Sequence, residues 1–372
     1  MYGGSPLLVV GMETAPIRVG PRHVWLIVRL TTNKGLAGLG EASLGPVTRL
    51  DELDDFFRLV EGGSPLEIRK YRARARDLAA RGGLRAQTAM SAVEQALWDI
   101  TGKALDAPVH VLLGGAVRTR VPVYANINLM TTDRSPVGFA RSVAKAAEAG
   151  FSIFKAAPFD GFPPAAEGAE AAQRAADLGI DCVQAMREAV GEDVSIRVDC
   201  HRYFGFERAV DTALRLEPYV LDWFEEPTDP TDAVTTARIK AAIPQRLAGG
   251  ELLFGVEGFA PLCRRDVLDV VMPDIMHCGG ILEGHRIAAA AAAGGVLVSP
   301  HNACGPVATA AAAQFAAGTE NFDSLELQWG QVPWRSDLTD PPERVRAGIL
   351  EVPAGPGLGI DLNNSLVTEH LA

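Results

Sequence analysis

The sequence predicts an α/β fold built around a (β/α)8-type barrel, and two observations carry that prediction. From residue 121 onward, eight short apolar runs alternate with helix-like stretches, which is typical of parallel strands joined by crossover helices. Eight such units in about 210 residues suit a closed barrel. An ionisable side chain also stands near the C-terminal end of seven of these runs. In chain order the runs are VPVYANI, FSIFKAA, SIRVDCH, VLDWFEE, RLAGGE, LDVVMPD, VLVSPHN and FDSLELQ.

An α+β region precedes the barrel units. The first 50 or so residues contain two strand-like segments, HVWLIVRLTT and GLAGLGEASLG, and a helical region follows them. Within SAVEQALWDITGKAL the apolar residues Val93, Leu97 and Ile100 fall about one turn apart, so one helix face can pack against a core. We therefore expect residues 1–120 to form one domain and residues 121–344 to form the barrel.

Composition and charge exclude several classes of protein. The chain has 372 residues, of which 48% are hydrophobic and 22% charged, as in ordinary globular proteins. Its net charge of −11 disfavours nucleic-acid binding. The start MYGGSPLLVVG lacks a basic segment and a cleavage site, and no apolar stretch is long enough to cross a bilayer. Five cysteines without a CxxC motif favour reduced thiols in a cytoplasmic enzyme.

The ionisable residues that end the apolar runs predict an active site. After a first interval of 44 residues, the steps between them are 26, 26, 23, 27 and 25 residues. In a parallel barrel the C-terminal ends of the strands share one mouth, where active sites are built. In chain order these residues are Lys155, Asp199, Glu225, Glu251, Asp274, His301 and Glu326.

Three of these residues, Asp199, Glu225 and Glu251, are carboxylates from adjacent strands and would repel one another. Two unit charges about 4 Å apart cost about 4 kcal/mol at an effective dielectric constant of about 20. Raised pKa values or a bound cation could relieve this cost. Oxygen donors with open positions suit a hard ion such as Mg2+, and no cluster of thiols or imidazoles indicates zinc.

Several longer motifs resemble the enolase superfamily, in its mandelate racemase-like branch. They are WFEEP at 223–227, AGGE at 248–251, PDIMHCGG at 273–280 and two segments at 91–115 and 352–362. The resemblance implies an N-terminal α+β capping domain, completed by residues 345–372, over a modified (β/α)7β barrel. It implies Mg2+ bound by Asp199, Glu225 and Glu251. It also implies a small carboxylate substrate that loses its α proton, and a homo-oligomer.

Lys155 and His301 are the residues that the resemblance places beside the substrate. The racemase-like pattern carries Lys-x-Lys on the strand of FSIFKAA, and Ala157 stands at the position of the second lysine, which serves as a base. Lys155 matches the first lysine, which contacts the substrate carboxylate. His301 follows Asp274 by one βα unit and matches the family's His–Asp dyad. A carboxylate bonded to one ring nitrogen fixes the tautomer and raises the basicity of the other nitrogen.

His201 suggests the particular reaction. In RVDCHRYF, strand alternation places Asp199 and His201 on the same side of a strand end. This Asp-x-His resembles the galactonate dehydratase type, and SPHNACGPVATAAA resembles its base-bearing segment. In the implied reaction His301 takes the α proton and His201 protonates the departing β-hydroxyl, which gives a 2-keto-3-deoxy acid. The related motif reads Asp-x-His-Gly-Arg, whereas Arg202 follows His201 directly here, so the role of Arg202 and the identity of the substrate stay open.

The remaining candidates are Glu326 and two histidines. Glu326 matches a family carboxyl group that hydrogen-bonds the substrate, and to donate it must be protonated, which burial could achieve. His277 lies three residues after Asp274, so alternation predicts the opposite side of the strand and a structural role. His23 lies in the N-terminal domain, where family members carry a specificity loop, so it could touch substrate, although an ordinary loop histidine is the expectation. Trp329 and Trp334 are expected to be packing residues.

Three other functions stay open at this point. Lys155 could form a Schiff base, as in an aldolase, although that chemistry does not need three carboxylates. The chain could bind a metal or a sugar acid without turnover, which the intact His301–Asp274 pair and His201 argue against. It could also catalyse epimerisation or cycloisomerisation, which Ala157 argues against.

Overall fold

The computed structural model describes residues 6–21 and 23–372. Its N-terminal part is an antiparallel sheet of three strands that packs on helices, and we call this part the cap. The cap contains β1 (Val9–Gly20), β2 (His23–Thr32), β3 (Ala37–Glu41), α1 (Glu52–Arg58), α2 (Ile68–Leu105) and α3 (Val109–Leu112). Gly40 lets β3 lie directly on α2, since a Cβ there would come within 2.1 Å of the Ala92 carbonyl oxygen.

The cap leads into a barrel of eight parallel strands, one in each of the eight predicted runs. The strands β4 to β10 pair in chain order, and β11 closes the barrel by pairing in parallel with β4. The elements are β4 (Arg120–Asn126), α4 (Pro136–Glu148), β5 (Ile153–Ala156), α5 (Ala169–Val190), β6 (Ser195–Asp199), α6 (Phe206–Leu216), β7 (Trp223–Glu225), α7 (Ala233–Ala242), β8 (Arg246–Gly249), α8 (Gly255–Phe259), β9 (Val270–Val271), α9 (Ile281–Ala293), β10 (Leu297–Val298), α10 (Pro306–Gly318) and β11 (Leu325–Gln328). Seven strand–helix units followed by a last strand confirm the predicted modified (β/α)7β barrel.

The chain then returns to the cap. Its last elements are β12 (Thr339–Asp340), β13 (Val345–Arg346), β14 (Ile349–Glu351), β15 (Asp361–Leu362) and α11 (Asn364–Glu369). The buried Asp99 of α2 accepts hydrogen bonds from Leu358 N at 2.8 Å and from Leu39 N at 2.9 Å. Leu371 bridges Ile17 of β1. The C-terminal segment thus completes the cap, while the domain limits at residues 120 and 345 stay a prediction.

Buried carboxylates of the cap bind the first turns of two barrel helices. Glu41, at the end of β3, accepts hydrogen bonds from Gly305 N at 2.7 Å and Ala308 N at 2.9 Å, at the start of α10. Glu94 of α2 accepts from Ile281 N at 2.8 Å and from the next amide, at the start of α9. Because helix N-termini attract negative charge, these contacts fix the cap over the mouth of the barrel.

The part of the chain that the structure describes has no helix with the length and apolar character of a membrane span. The five cysteines are all buried and unpaired, as the absence of a paired framework predicted.

Candidate active site

Three carboxylates converge at the ends of neighbouring strands. Asp199 ends β6, Glu225 ends β7 and Glu251 follows β8 by two residues. All three are buried, and one oxygen atom from each lies within 4.8 Å of the others. We call these three residues the acidic triad. The sequence spacing predicted this convergence from the order of the strands.

Lys155 of β5 lies beside the acidic triad. Its Nζ is 2.6 Å from Glu225 Oε1 and 3.3 Å from both Asp199 Oδ2 and Glu326 Oε1. Burial favours the neutral amine, but the negative charges of Glu225 and Glu326 outweigh burial and raise the pKa of Lys155 well above its usual value. Lys155 is therefore a fixed cation at the mouth of the barrel.

The acidic triad suits a hard divalent cation. Burial, with the charge of Asp199 beside it, raises the pKa of Glu225 well above its usual value, so one lysine does not balance the cluster. Oε2 of Glu251 is buried and accepts no hydrogen bond from the part of the chain that the structure describes. A buried oxygen that accepts no hydrogen bond, next to two further carboxylates, is a donor set that fits Mg2+.

His301 and Asp274 form a closely bonded pair at the Glu251 end of the acidic triad. Nδ1 of His301 is 2.7 Å from Asp274 Oδ2, and Asp274 Oδ1 also accepts from Met276 N at 2.7 Å. Nε2 of His301 points to Glu251 Oε2, 3.5 Å away. Burial lowers the pKa of His301, but the charges of Glu251 and Glu326 outweigh it and raise this pKa to about 10. A cation in the triad would oppose that shift.

His201 forms a second pair, with Asp160, at the Asp199 end of the acidic triad. Nδ1 of His201 is 2.5 Å from Asp160 Oδ1, and Nε2 is 3.2 Å from Asp199 Oδ2. Burial lowers the pKa of His201, but Asp199 and the bond to Asp160 raise it to about 12. His201 does project beside Asp199, but not by strand alternation, because β6 ends at Asp199 and His201 has a φ of 44°.

Asp160 is the site residue that the sequence interpretation missed. It lies in the loop after β5, four residues beyond the end of that strand at Ala156. No strand or helix period relates a loop residue to His201, which is 41 positions further along the chain. The available signal was only the acidic end of FKAAPFD, on the strand that carries Lys155.

Glu326 accepts hydrogen bonds from three protein groups in this structure. It accepts from Asn126 Nδ2 at 2.5 Å, Tyr124 Oη at 3.2 Å and Asn302 N at 3.3 Å. Burial raises the pKa of Glu326, but the cations Lys155 and His301 outweigh burial and lower it below its usual value. The two cations together thus oppose the burial that could protonate Glu326, and the role of Glu326 toward a substrate stays a prediction.

His277 also differs from its prediction. Residues 274–278 form a turn, in which His277 N and Cys278 N both donate to the carbonyl oxygen of Asp274. Strand alternation does not apply to a turn, so the side chain does not point away from Asp274. Nε2 of His277 lies 3.7 Å from Asp274 Oδ2, and Nδ1 lies 2.8 Å from Thr88 Oγ1.

A cavity of about 200 Å³ lies between the cap and the mouth of the barrel. His23, expected in a loop, instead begins β2 and lines this cavity. The barrel contributes His277, His301, Met276 and Cys304, and the cap contributes Trp25, Ser43, Leu44 and Leu84. This cavity is lined by His301 but by none of the triad carboxylates, so it adjoins the acidic triad on the side of His301. A cavity of about 300 Å³ between α10 and the C-terminal segment is lined by neither the triad carboxylates nor these histidines.

Arg202 and the two tryptophans lie around this site. Nε of Arg202 is 3.4 Å from Oε2 of the buried Glu226, whose Oε1 accepts from Gly250 N at 2.7 Å. Trp329 packs edge-on against Phe151, and Trp334 stacks on His370 with the two ring centroids 3.9 Å apart. Neither tryptophan lines the smaller cavity, in agreement with the expected packing role.

A capped α/β barrel with an acidic cluster at its mouth defines an enolase-type barrel protein. Residues 138–366 match the model of enolase C-terminal domain-like proteins. Residues 12–114 match the N-terminal domain of mandelate racemase and muconate lactonizing enzymes. The chain belongs to this mandelate racemase/muconate lactonizing enzyme family, as its motifs predicted.

Named relatives span more than one reaction. The chain is 33% identical over 354 residues to a D-gluconate dehydratase of Thermoproteus tenax, covering 93% of this chain and 70% of that protein. It is 29% identical over 382 residues to a D-galactarolactone cycloisomerase of Agrobacterium fabrum, covering 96% of this chain and 93% of that protein. A crystal structure of a mandelate racemase/muconate lactonizing enzyme from Jannaschia sp. CCS1 superposes with a TM-score of 0.87 and 30% identity, over 98% of each chain.

Proposed function

We propose that the protein is a Mg2+-dependent dehydratase of a sugar acid of the aldonate type, and therefore a hydro-lyase. The observation that carries the proposal is the placement of two histidines, each paired with an aspartate, at the two ends of the acidic triad. The Nε2 atom of His201 lies beside Asp199, and that of His301 lies beside Glu251. Elimination of water needs this combination of one proton acceptor and one proton donor.

His301 is the proposed proton acceptor. Asp274 holds its Nδ1–H, which leaves Nε2 to take the proton α to the substrate carboxylate. A divalent cation held by Asp199, Glu225 and Glu251 would supply positive charge beside that carboxylate and so make the neighbouring C–H bond more acidic. Lys155 would bind the same carboxylate as a fixed cation. Glu326 holds Lys155 in position.

His201 is the proposed proton donor. As the α proton leaves for His301, the electron pair of the C–H bond forms a double bond to the β-carbon. The bond from the β-carbon to its hydroxyl breaks, and that hydroxyl leaves as water with the proton from Nε2 of His201. The enol that remains tautomerises to a 2-keto-3-deoxy acid.

The structure weighs against two of the alternatives. A racemase needs a second base opposite His301, and Ala157 offers no ionisable group at the family's position for it. An aldolase lysine must lose its proton to attack a carbonyl group, whereas the carboxylates raise the pKa of Lys155. Cycloisomerisation is the second candidate, because one named relative is a cycloisomerase of a sugar-acid lactone.

A substrate screen tests the proposal. The purified protein with Mg2+ is incubated with a panel of aldonates, aldarates and their lactones, and 2-keto acid product is measured. We expect one or a few aldonates to react and the reaction to stop with EDTA. Reaction of lactones alone would favour the cycloisomerase, and trapping of substrate by borohydride without metal would favour the aldolase. A homo-oligomer, a cytoplasmic location and domain limits at residues 120 and 345 also stay predictions.

A further inference from the structure

We propose that Asp160 is a positioning residue that aims the Nε2 atom of His201 into the site as the proton donor. This inference rests on the proposed dehydratase function. The ring of His201 has two ends, and Asp160 holds Nδ1 at 2.5 Å while Nε2 faces Asp199 at 3.2 Å. Since Nδ1 donates to a carboxylate, the atom directed into the site is fixed as Nε2.

The ring of His201 needs such a partner because it is partly open to solvent. The side chains of His201 and Asp160 are 34% and 28% exposed. The main chain at His201 is held by bonds from His201 N to Asp199 Oδ1 at 2.9 Å and from Tyr203 N to Cys200 O at 3.0 Å. These bonds fix the Cα position but leave the χ angles of the ring free. Asp160 supplies the side-chain contact at Nδ1, at the opposite end of the ring from Asp199.

Asp160 is itself held by the loop that follows β4. Asn128 Nδ2 donates to Asp160 Oδ2 at 2.8 Å, and Arg134 Nη2 lies 3.4 Å from the same oxygen. Arg134 also donates to Asn128 Oδ1 at 2.6 Å and to the carbonyl oxygen of Ala157. The loops after β4 and β5 and the end of β6 are therefore joined by one hydrogen-bonded network that ends at His201.

Ala157, just after the end of β5, stands three residues before Asp160 in this network. The racemase-like pattern places a basic lysine at this position, and here it is a buried alanine. The end of β5 thus provides no base, and instead the loop three residues further on provides the carboxylate that orients a histidine of the next strand. We infer that Asp160 and Ala157 together adapt this edge of the barrel to proton donation from β6.

A double-mutant cycle tests whether Asp160 acts through His201. With the sugar acid found in the screen and saturating Mg2+, Asp160→Ala is expected to lower kcat for dehydration about 10- to 100-fold with little change in KM. In a His201→Asn background, Asp160→Ala is expected to cause no further loss. An equal loss in both backgrounds would overturn the inference. Asp229→Ala is the control, since Asp229 is an exposed loop aspartate that bonds Thr231 and lies outside this network.

A spectroscopic measurement separates this inference from the proposed function. Imidazole nitrogens of isotope-labelled, Mg2+-loaded protein are observed by NMR, with His201 assigned from His201→Asn. The wild type and Asp229→Ala should show a proton on Nδ1 of His201 that exchanges slowly with water, and Asp160→Ala should lose that protection. Unchanged exchange in Asp160→Ala would overturn the inference. Loss of protection without dehydration of any sugar acid would refute the proposed function and leave the positioning contact in place.

Discussion

The two His–Asp pairs at the ends of the acidic triad differ in how deeply they are buried. Asp274 is 2% exposed and His301 is held between it and Glu251, inside the mouth of the barrel. His201 and Asp160 are both about a third exposed, and Asp160 comes from a loop. The inner pair, His301–Asp274, is thus the more deeply buried of the two, while the outer pair, His201–Asp160, is held at its aspartate by a hydrogen-bonded network between loops.

This difference agrees with the different tasks of the two pairs in the proposed reaction. Removing an α proton needs the acceptor in one exact place beside the activated carbon atom, which a buried histidine held by a buried aspartate provides. Protonating a leaving hydroxyl occurs on the side where water departs, and a partly exposed histidine suits that side. Four measurements, given in order of expected effect, test this difference between the two pairs.

Replacing the inner histidine should have the largest effect. His301→Asn is expected to abolish exchange of the substrate's α proton in D2O and to lower dehydration about 10^4-fold, because it removes the proposed proton acceptor. NMR of the recovered substrate measures the exchange. Exchange at the wild-type rate in this variant would show that another group is the base.

Replacing the outer histidine should separate the two proton transfers. His201→Asn is expected to lower dehydration about 10^2- to 10^4-fold while α-proton exchange continues, because only the leaving hydroxyl loses its donor. Both rates are obtained from one sample in D2O. If exchange falls as far as dehydration in a stepwise reaction, the outer pair does not have a separate role.

Replacing a carboxylate of the acidic triad should weaken the binding of Mg2+, on which both proposed proton transfers depend. Glu225→Gln removes one charge from the three carboxylates and is expected to weaken Mg2+ binding by at least about tenfold, since cation affinity depends on ligand charge. Isothermal titration with Mg2+ measures this, with Asp229→Asn as a control at an exposed carboxylate. Equal affinity in Glu225→Gln and wild type would remove Glu225 from the ligand set.

Most of the inner pair and little of the outer pair could be predicted from sequence. Asp274 and His301 end apolar runs at regular intervals, so the barrel period alone places them together. Asp160 and its partners Asn128 and Arg134 lie in loops, whose paths depend on hydrogen bonds between distant residues. The same limit explains His277, which lies in a turn, and Glu326, whose ionisation depends on the balance of burial against Lys155.

The smallest expected effect is on the stability of the folded protein when the aspartate of either pair is replaced. Asp274→Ala leaves the buried Met276 N–H and the ring of His301 without an acceptor and should lower the free energy of unfolding by about 1–3 kcal/mol. Asp160→Ala should cost less than about 1 kcal/mol, because water can reach the groups that it frees. Urea denaturation of both variants without Mg2+ measures the difference. Equal losses would contradict the contrast between a buried pair and a partly exposed pair.

The most direct test of the account is a crystal structure of the His201→Asn variant grown with Mg2+ and the sugar acid that reacts. The account predicts one ion bound by Asp199, Glu225 and Glu251, with the substrate's α-carbon next to Nε2 of His301 and its β-hydroxyl on the side of residue 201. An ion elsewhere, or a substrate whose α-carbon lies away from His301, would contradict it.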